Sequence, residues 1–165
     1  MTVADAAPPV VEQKVLSQSE LFNDSTLTKR MVVENDLAVA FLAKVPLTQG
    51  HTLICPKRVV SKSADLTAQE WRDIMELKNL VCEALSRAMQ VEGFTFFWSE
   101  GVAYDRTNAR GDAHFHLHIV PRKKDGKNVA QQESRFLFDR QGSHSQPTND
   151  ELFDFAETLR LSIGA

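Results

Sequence analysis

Three histidines alternate with apolar residues in one short stretch, and they are the side chains best able to do chemistry. His114, His116 and His118 are three of the five histidines in the chain. Side chains on a β-strand point alternately to opposite faces, so this spacing predicts one strand with all three imidazoles on the same face. Imidazole titrates near neutral pH, and such a face can serve metal binding, proton transfer or nucleophilic attack. The residues predicted to face the core on the other side are Phe115, Leu117 and Ile119.

Three roles for these imidazoles follow from their chemistry. Two histidines at this spacing can chelate one zinc ion. A strand rises about 3.3 Å per residue, so the first and third imidazoles start about 13 Å apart, and a zinc site would need His51 or a carboxylate in addition. Alternatively, a neutral imidazole nitrogen can attack a phosphoryl group and form a phosphoramidate. A purely structural role is the least favoured, because each buried imidazole needs hydrogen-bond partners.

The elements that must position the histidines can be predicted from hydrophobic periodicity and capping signals. Thr67 with Glu70, and Thr148 with Glu151, are two capping boxes that predict the starts of a long helix and a C-terminal helix. Pro121 is expected to end the histidine strand, and the aromatic strand before it is expected to lie in the core. These elements predict an α+β fold with a mainly antiparallel, five-stranded sheet. The five predicted strands are residues 31–33, 37–42, 52–55, 94–98 and 114–120.

Composition limits the classes of protein to consider. The chain has 165 residues, 42% hydrophobic and 25% charged, which is ordinary for one globular domain. A net charge of −3 argues against a protein that coats nucleic acids, and no nucleic-acid partner is expected. There is no apolar run of the about 20 residues that span a bilayer and no signal peptide, so we expect no membrane association. Cys55 and Cys82 form no paired motif, and a cytoplasmic location is expected.

The motifs in this sequence resemble those of the histidine triad (HIT) family. The run from His114 to Arg122 matches its alternating histidine motif and the Pro-Arg that often follows. Upstream, Gly50 and His51 open a strand that ends in Pro-Lys-Arg, as in the second conserved block of the family. The resemblance covers roughly residues 19–125.

The resemblance and the composition of the N-terminus together predict a domain organisation and an assembly. Residues 1–15 are rich in alanine and contain Pro8-Pro9, which blocks a regular helix, so a flexible tail is expected there. A single HIT-like domain is expected at residues 16–165. Within that domain, residues 29–125 would form the motif core and residues 126–165 a C-terminal extension with the last helix. Family members are typically homodimers, so two five-stranded sheets are expected to join into one ten-stranded sheet.

The resemblance also implies a nucleotide hydrolase or nucleotidyl transferase that acts at the α-phosphate. His116 would form a covalent nucleotidyl-histidine intermediate, and His118 would contact the phosphate. His51 and His114 would orient the catalytic imidazole through hydrogen bonds. The expected substrate is a small purine nucleotide, of the nucleoside phosphoramidate or dinucleoside polyphosphate class, with no cofactor and no metal.

Further candidate residues come from the same comparison of motifs. Ala43 stands where many family members carry an aspartate that binds ribose, and residues 104–113 differ from the usual loop before the triad. Two other functions stay open: a nucleotide-binding HIT-like protein with little turnover, and a metal-dependent enzyme that uses His51, His116 and His118. The expected phosphate-binding residues are Ser99, Asn108, Arg110 and Gly111. The expected walls of the nucleoside pocket are Leu21, Phe22 and Phe41.

Overall fold

The computed structural model describes residues 25–101, 114–123 and 146–164, and it confirms the predicted α+β fold. The predicted tail at residues 1–15 lies outside these residues. The elements in chain order are helix α1 (Leu27–Arg30), strands β1 (Met31–Glu34), β2 (Ala38–Leu42) and β3 (Thr52–Pro56), a 3-10 turn (Ser63–Asp65), helix α2 (Ala68–Ala88), strands β4 (Gly93–Ser99) and β5 (His116–Arg122), and helix α3 (Asn149–Gly164).

The five strands form one sheet in the order β1-β2-β3-β5-β4, and each neighbouring pair is antiparallel. Asn35 closes the hairpin between β1 and β2, because its backbone N–H donates to the Ala38 carbonyl and its side-chain oxygen accepts from the Ala38 N–H. The Asp73 carboxylate of α2 accepts from the Leu37 N–H at 3.2 Å. The tip of the hairpin is therefore fixed to the long helix.

Both predicted capping boxes are present. The Thr67 hydroxyl accepts from the Glu70 N–H, and the Glu70 carboxylate accepts from the Thr67 N–H at 2.8 Å. Thr148 and Glu151 make the same reciprocal pair of bonds at the start of α3. Each box satisfies backbone donors that would otherwise lack partners in the first helical turn. The two helix starts are thus fixed by the residues that predicted them.

The two long helices cover one face of the sheet, which we call the helix face. Alternate strand residues, among them Ile54, Leu117 and Ile119, pack there against the apolar stripes of α2 and α3. The opposite face, which we call the histidine face, carries His116 and His118. It also carries a smaller apolar cluster formed by Leu27, Val39, Phe41, Ala43, Leu53 and Cys55.

Strand β5 differs from the prediction at both ends. It begins at His116, so His114 precedes the strand instead of lying within it. It also continues through Pro121 to Arg122, with Pro121 paired with Phe94 of β4. The pairing of β5 with β3 ends at Ile119, so the missing N–H of Pro121 costs no hydrogen bond on that side. The expectation that Pro121 ends the strand was therefore wrong.

The aromatic strand is also less buried than predicted. Strand β4 lies at one edge of the sheet, where Phe96 and Trp98 are 43% and 54% exposed. Their neighbours on α2 are Lys78, whose ammonium lies 5.1 Å from the Phe96 ring, and Trp71, in edge contact with Trp98. An edge strand has a covering partner on one side only, so an apolar composition did not ensure burial.

The helices of the described residues range from the four residues of α1 to the 21 residues of α2. None of them has both the length and the apolar character that crossing a lipid bilayer requires.

Candidate active site

Gly50 allows His51 to reach the site. Its φ of +83° is favourable for glycine and strained for other residues. A Cβ atom at this position would also lie 2.7 Å from a methyl carbon of Leu85 on α2. The glycine therefore permits both the turn and the close approach of the helix. His51 follows immediately, and its carbonyl accepts from the Ala43 N–H at 2.9 Å, which fixes it at the start of β3.

The antiparallel register brings the remaining side chains onto the same face as His51. Strand β5 lies between β3 and β4, and His118 pairs with Leu53 on one side and Phe97 on the other. Ser99, the last residue of β4, pairs with His116. Because residues directly opposite on neighbouring strands share a face, the two histidines, Phe97 and Ser99 all belong to the histidine face.

His116 is held with one ring nitrogen available for reaction. Its Nδ1 donates a hydrogen bond to the backbone carbonyl of His114 at 2.8 Å, so in the neutral ring the lone pair is on Nε2. Burial lowers the pKa of His116, although the bond to the His114 carbonyl partly opposes this. The neutral imidazole therefore predominates at neutral pH, with Nε2 as an unprotonated nitrogen.

His51 contacts His118 instead of His116. The backbone N–H of Leu47 donates to Nδ1 of His51 at 3.2 Å, and Nε2 of His51 lies 3.0 Å from Nδ1 of His118. Burial lowers the pKa of His51 to about 3, with a smaller contribution from the charge of His116. His51 is therefore neutral at neutral pH, and it was expected to bond to the catalytic imidazole but bonds to its neighbour.

His118 is held between an aromatic ring and two polar groups. The ring of Phe97 stacks on it at a centroid distance of 4.1 Å and an interplanar angle of 13°. Its Nε2 lies 3.3 Å from the Ser99 hydroxyl oxygen. The His116 ring lies 4.8 Å away and is tilted. These contacts fix the orientation of the imidazole that is adjacent to His116.

The backbone carbonyls of Val60 and Ser61 contact residues on either side of positions 102–113, which lie outside the described residues. The Phe115 N–H donates to the Val60 carbonyl, which also lies 3.3 Å from Nδ1 of His114. The Gly101 N–H donates to the Ser61 carbonyl at 3.0 Å. His114 thus acts on His116 through its backbone carbonyl, while its buried side chain contacts the segment after β3.

The structure brings together part of the predicted site. His51, His116, His118 and Ser99 form one connected cluster, and His114 adjoins it. Phe41 is fully buried in the smaller apolar cluster, with the Arg30 guanidinium 5.6 Å from its ring. Among residues 25–101, 114–123 and 146–164, no group of three or more potential metal ligands is close enough to hold an ion. The predicted residues outside those ranges are Leu21, Phe22, Asn108, Arg110 and Gly111.

Two contributors to the site were not predicted from the sequence. The Leu47 amide belongs to the backbone, and no side-chain pattern indicates it. Phe97 could have been identified, because it lies two residues before Ser99 on the same strand and therefore on the same face. The strand was instead treated as uniformly apolar. The alternation between Phe96 and Phe97 was the informative signal.

The fold and this histidine cluster define a class of protein, and comparison with known families gives its name. The family model for the HIT domain matches residues 25–125 of this chain. The chain therefore belongs to the histidine triad family, as the motifs predicted.

Known relatives share the domain. A bis(5′-adenosyl)-triphosphatase of Dictyostelium discoideum is 30% identical over 110 residues, which cover 67% of this chain and 64% of the relative. An asymmetrical bis(5′-nucleosyl)-tetraphosphatase of Schizosaccharomyces pombe is 27% identical over 103 residues, 62% of this chain and 54% of the relative. This chain thus spans less than two thirds of the length of either enzyme.

Solved structures share the fold. The crystal structure of Plasmodium falciparum diadenosine triphosphate hydrolase in complex with cyclomarin A superposes with a TM-score of 0.60 at 18% sequence identity. The match covers 82% of this chain and 77% of that one. At this identity the likeness shows the common architecture alone.

Proposed function

We propose that this chain is a nucleotide hydrolase or nucleotidyl transferase that acts at an α-phosphate through a covalent nucleotidyl-histidine on His116. The observation that carries the proposal is the 2.8 Å hydrogen bond from Nδ1 of His116 to the His114 carbonyl. It leaves Nε2 unprotonated and aimed away from its own backbone. An imidazole fixed in this tautomer is prepared for nucleophilic attack.

In the first step, the lone pair on Nε2 of His116 forms a bond to the α-phosphorus, and the bond from phosphorus to the leaving group breaks. The leaving group takes the electron pair of that bond. The phosphorylated ring is then cationic, and its Nδ1–H keeps its bond to the His114 carbonyl, which stabilises the positive charge. His118, with its ring 4.8 Å from that of His116, is placed to contact the phosphate.

In the second step, water attacks the phosphorus and releases a proton to the solvent, and the bond from phosphorus to Nε2 breaks. The electron pair returns to Nε2, and His116 is again neutral. The lowered pKa of His116 favours this neutral starting state at physiological pH. Phosphate or another acceptor in place of water would make the chain a transferase.

The substrate we propose is a purine nucleotide, and the dinucleoside polyphosphates are the first class to test. Two relatives support this choice by their names: one that is 30% identical is a bis(5′-adenosyl)-triphosphatase, and one that is 27% identical is a bis(5′-nucleosyl)-tetraphosphatase. Nucleoside phosphoramidates are the second class, because the proposed attack at the α-phosphorus has the same geometry with a nitrogen leaving group.

We also propose a homodimer in the cytoplasm. Strand β4 is an edge of the sheet, and its exposed Phe96 and Trp98 would be covered if a second copy paired with that edge. The cysteines Cys55 and Cys82 are free, which suits a reducing compartment.

The test is to trap the intermediate. Diadenosine triphosphate, labelled on the α-phosphate, is mixed with the protein and quenched within milliseconds, and the adduct is located by mass spectrometry of peptides. We expect adenylyl on His116, and we expect His116→Asn to lower turnover by at least about a thousandfold, as removal of a nucleophile generally does.

Two results would contradict the proposal. Full turnover by the His116→Asn variant would show that His116 is not the nucleophile. Binding of AMP in calorimetry, with no product and no adduct from either substrate class, would instead identify a binding protein. A circular dichroism spectrum identical to that of the wild type would confirm that the variant is folded.

A further inference from the structure

One carbonyl oxygen holds the two residues that precede His116. The Val60 carbonyl accepts a hydrogen bond from the Phe115 N–H, and it lies 3.3 Å from Nδ1 of His114. A carbonyl can only accept, so the His114 ring donates to it through Nδ1, and the two lone pairs of the oxygen allow both bonds. Val60 therefore contacts the imidazole of His114 and also the peptide group that joins His114 to Phe115.

The same peptide group contacts His116 at its other end. Its carbonyl, that of His114, accepts from Nδ1 of His116 at 2.8 Å. Its N–H, that of Phe115, donates to Val60. Because the amide is conjugated, a hydrogen bond donated by its N–H shifts electron density towards its oxygen. The bond to Val60 therefore makes the His114 carbonyl a stronger acceptor for the His116 ring.

These groups are buried, which strengthens the coupling between the two bonds. The exposed fractions are 2% for Val60, 3% for His114, 0% for Phe115 and 4% for His116. Little water competes for their polar atoms, and hydrogen bonds in such surroundings polarise one another. Burial lowers the pKa of His116, and the bond to the His114 carbonyl raises it. The strength of this acceptor thus affects how readily the ring carries positive charge.

Further contacts fix the segment that contains Val60. The Val60 side chain belongs to the core cluster of the helix face. The Ser61 carbonyl accepts from the Gly101 N–H at 3.0 Å, and the Ser63 N–H donates to the Glu100 carboxylate at 3.0 Å. The segment after β3 is therefore bonded to the end of β4 as well as to the residues before β5, which keeps the Val60 carbonyl at the amide that it accepts from.

We propose that Val60 is a positioning residue for His116 and that it acts through its backbone carbonyl. Through the peptide group between His114 and Phe115, it strengthens the acceptor of the Nδ1 proton. As Nε2 attacks the phosphorus, positive charge develops on the ring, and the stronger acceptor stabilises that charge. The first step is accelerated, and substrate binding is unaffected. This inference rests on the proposed attack of His116 on the α-phosphorus.

Replacing one amide by an ester tests this role, because an ester carbonyl is a weaker acceptor than an amide carbonyl. Lactic acid in place of residue 61 makes the Val60 carbonyl an ester, and Ser61→Ala is the matched amide. With saturating diadenosine triphosphate, the ester should form the adduct on His116 about threefold more slowly, with KM unchanged. The acid limb of this rate should move to lower pH by about 0.5 unit, because a weaker acceptor lowers the pKa of His116.

A second ester in the same segment is the control. Lactic acid in place of Ala64 weakens the Ser63 carbonyl, which accepts from the Leu66 N–H at 3.2 Å, and should leave the rate and its pH profile as in the wild type. The histidines around His116 are the same in every variant, so a moved profile reports the acceptor; they are His51, His114 and His118. An ester at residue 61 that matches Ser61→Ala in rate and profile would overturn the inference.

Nuclear magnetic resonance tests the hydrogen bonds without any substrate. In the wild type, couplings across hydrogen bonds should join the Phe115 nitrogen to the Val60 carbonyl carbon, and Nδ1 of His116 to the His114 carbonyl carbon. The Nδ1 proton of His116 should move upfield in the ester at residue 61 and not in the ester at residue 64. A missing coupling, or a proton that does not move, would overturn the inference. A wild type that forms no adduct on His116 would instead refute the proposed function, and these spectra would still test the hydrogen bonds.

Discussion

The two faces of one sheet perform different tasks with the same strands. On the helix face, Phe115, Leu117 and Ile119 pack against α2 and α3, and all three are almost fully buried. On the histidine face, His116 and His118 are held by hydrogen bonds and by ring contacts, among them the stacking of Phe97 on His118. Successive side chains of a β-strand point to opposite faces, so neighbouring residues of β5 contribute in turn to the stability of the core and to the proposed chemistry.

The contrast shows how buried polar groups are tolerated near the centre of a small domain. A buried imidazole without partners would cost several kcal/mol. Here the cost is offset because each ring uses backbone groups or another ring: the Leu47 amide for His51, the His114 carbonyl for His116 and the His51 ring for His118. The same bonds fix the tautomers on which the proposed chemistry depends.

The largest expected difference in stability is between substitutions of two adjacent residues that lie on opposite faces of β5. Leu117→Ala should lower the free energy of unfolding by about 2–5 kcal/mol, because the side chain is 3% exposed and its removal leaves a cavity. His116→Asn should change it by less than about 1 kcal/mol, because the amide can keep the bond to the His114 carbonyl. Urea denaturation followed by tryptophan fluorescence measures both.

The matching activity measurement completes the comparison. Leu117→Ala, assayed at a temperature at which it is folded, should keep more than a tenth of the wild-type turnover, whereas His116→Asn should have lost it. Equal destabilisation by the two substitutions would show that the faces do not divide the tasks as described.

The arrangement of the sheet was largely predictable, and the hydrogen-bond connections of the site were not. The capping box at Thr67 depends on a local rule and is present, and the alternation of histidine and apolar residues correctly predicted a strand that carries His116 and His118, although His114 lies before it. The partner of His51 depends on which strand lies beside β3 and in which register, so the bond to His118 could not be read from spacing. The exposure of Trp98 depends on β4 being an edge strand, which composition does not reveal.

Lowering the pH is expected to have an intermediate effect on the free energy of unfolding. The pKa of His51 is lowered from 6.5 to about 3 by burial, so the unfolded chain binds a proton that the folded protein does not as pH falls below 6.5. Stability is then full above pH 6.5 and decreases as pH falls towards 3. At pH 5 this group should have lowered the free energy of unfolding by about 2 kcal/mol relative to pH 7. Denaturant titrations across this interval measure the slope.

A variant isolates the contribution of His51 to this slope. His51→Gln cannot titrate in this range. Between pH 6.5 and 5 the free energy of unfolding of the variant should therefore fall less steeply than that of the wild type, with a mean difference in slope of about 1.1 kcal/mol per pH unit. His116 also has a lowered pKa, so some slope should remain. An unchanged slope in the variant would show that His51 is not held neutral by its surroundings.

The smallest effect on stability should come from the exposed edge of the helix face. Trp98 is 54% exposed and makes an edge contact with Trp71, so Trp98→Ser should lower the unfolding free energy of a monomer by less than about 1 kcal/mol. If β4 pairs with a second copy, the same change should weaken the dimer markedly in sedimentation equilibrium, because a buried aromatic would be lost from the interface. Leu161→Ser on α3, where the side chain is 70% exposed, is the matched control and should leave association unchanged. If Trp98→Ser associates as strongly as the control, the exposed part of this face does not bind a second copy, and its aromatic residues only pack against the first half of α2.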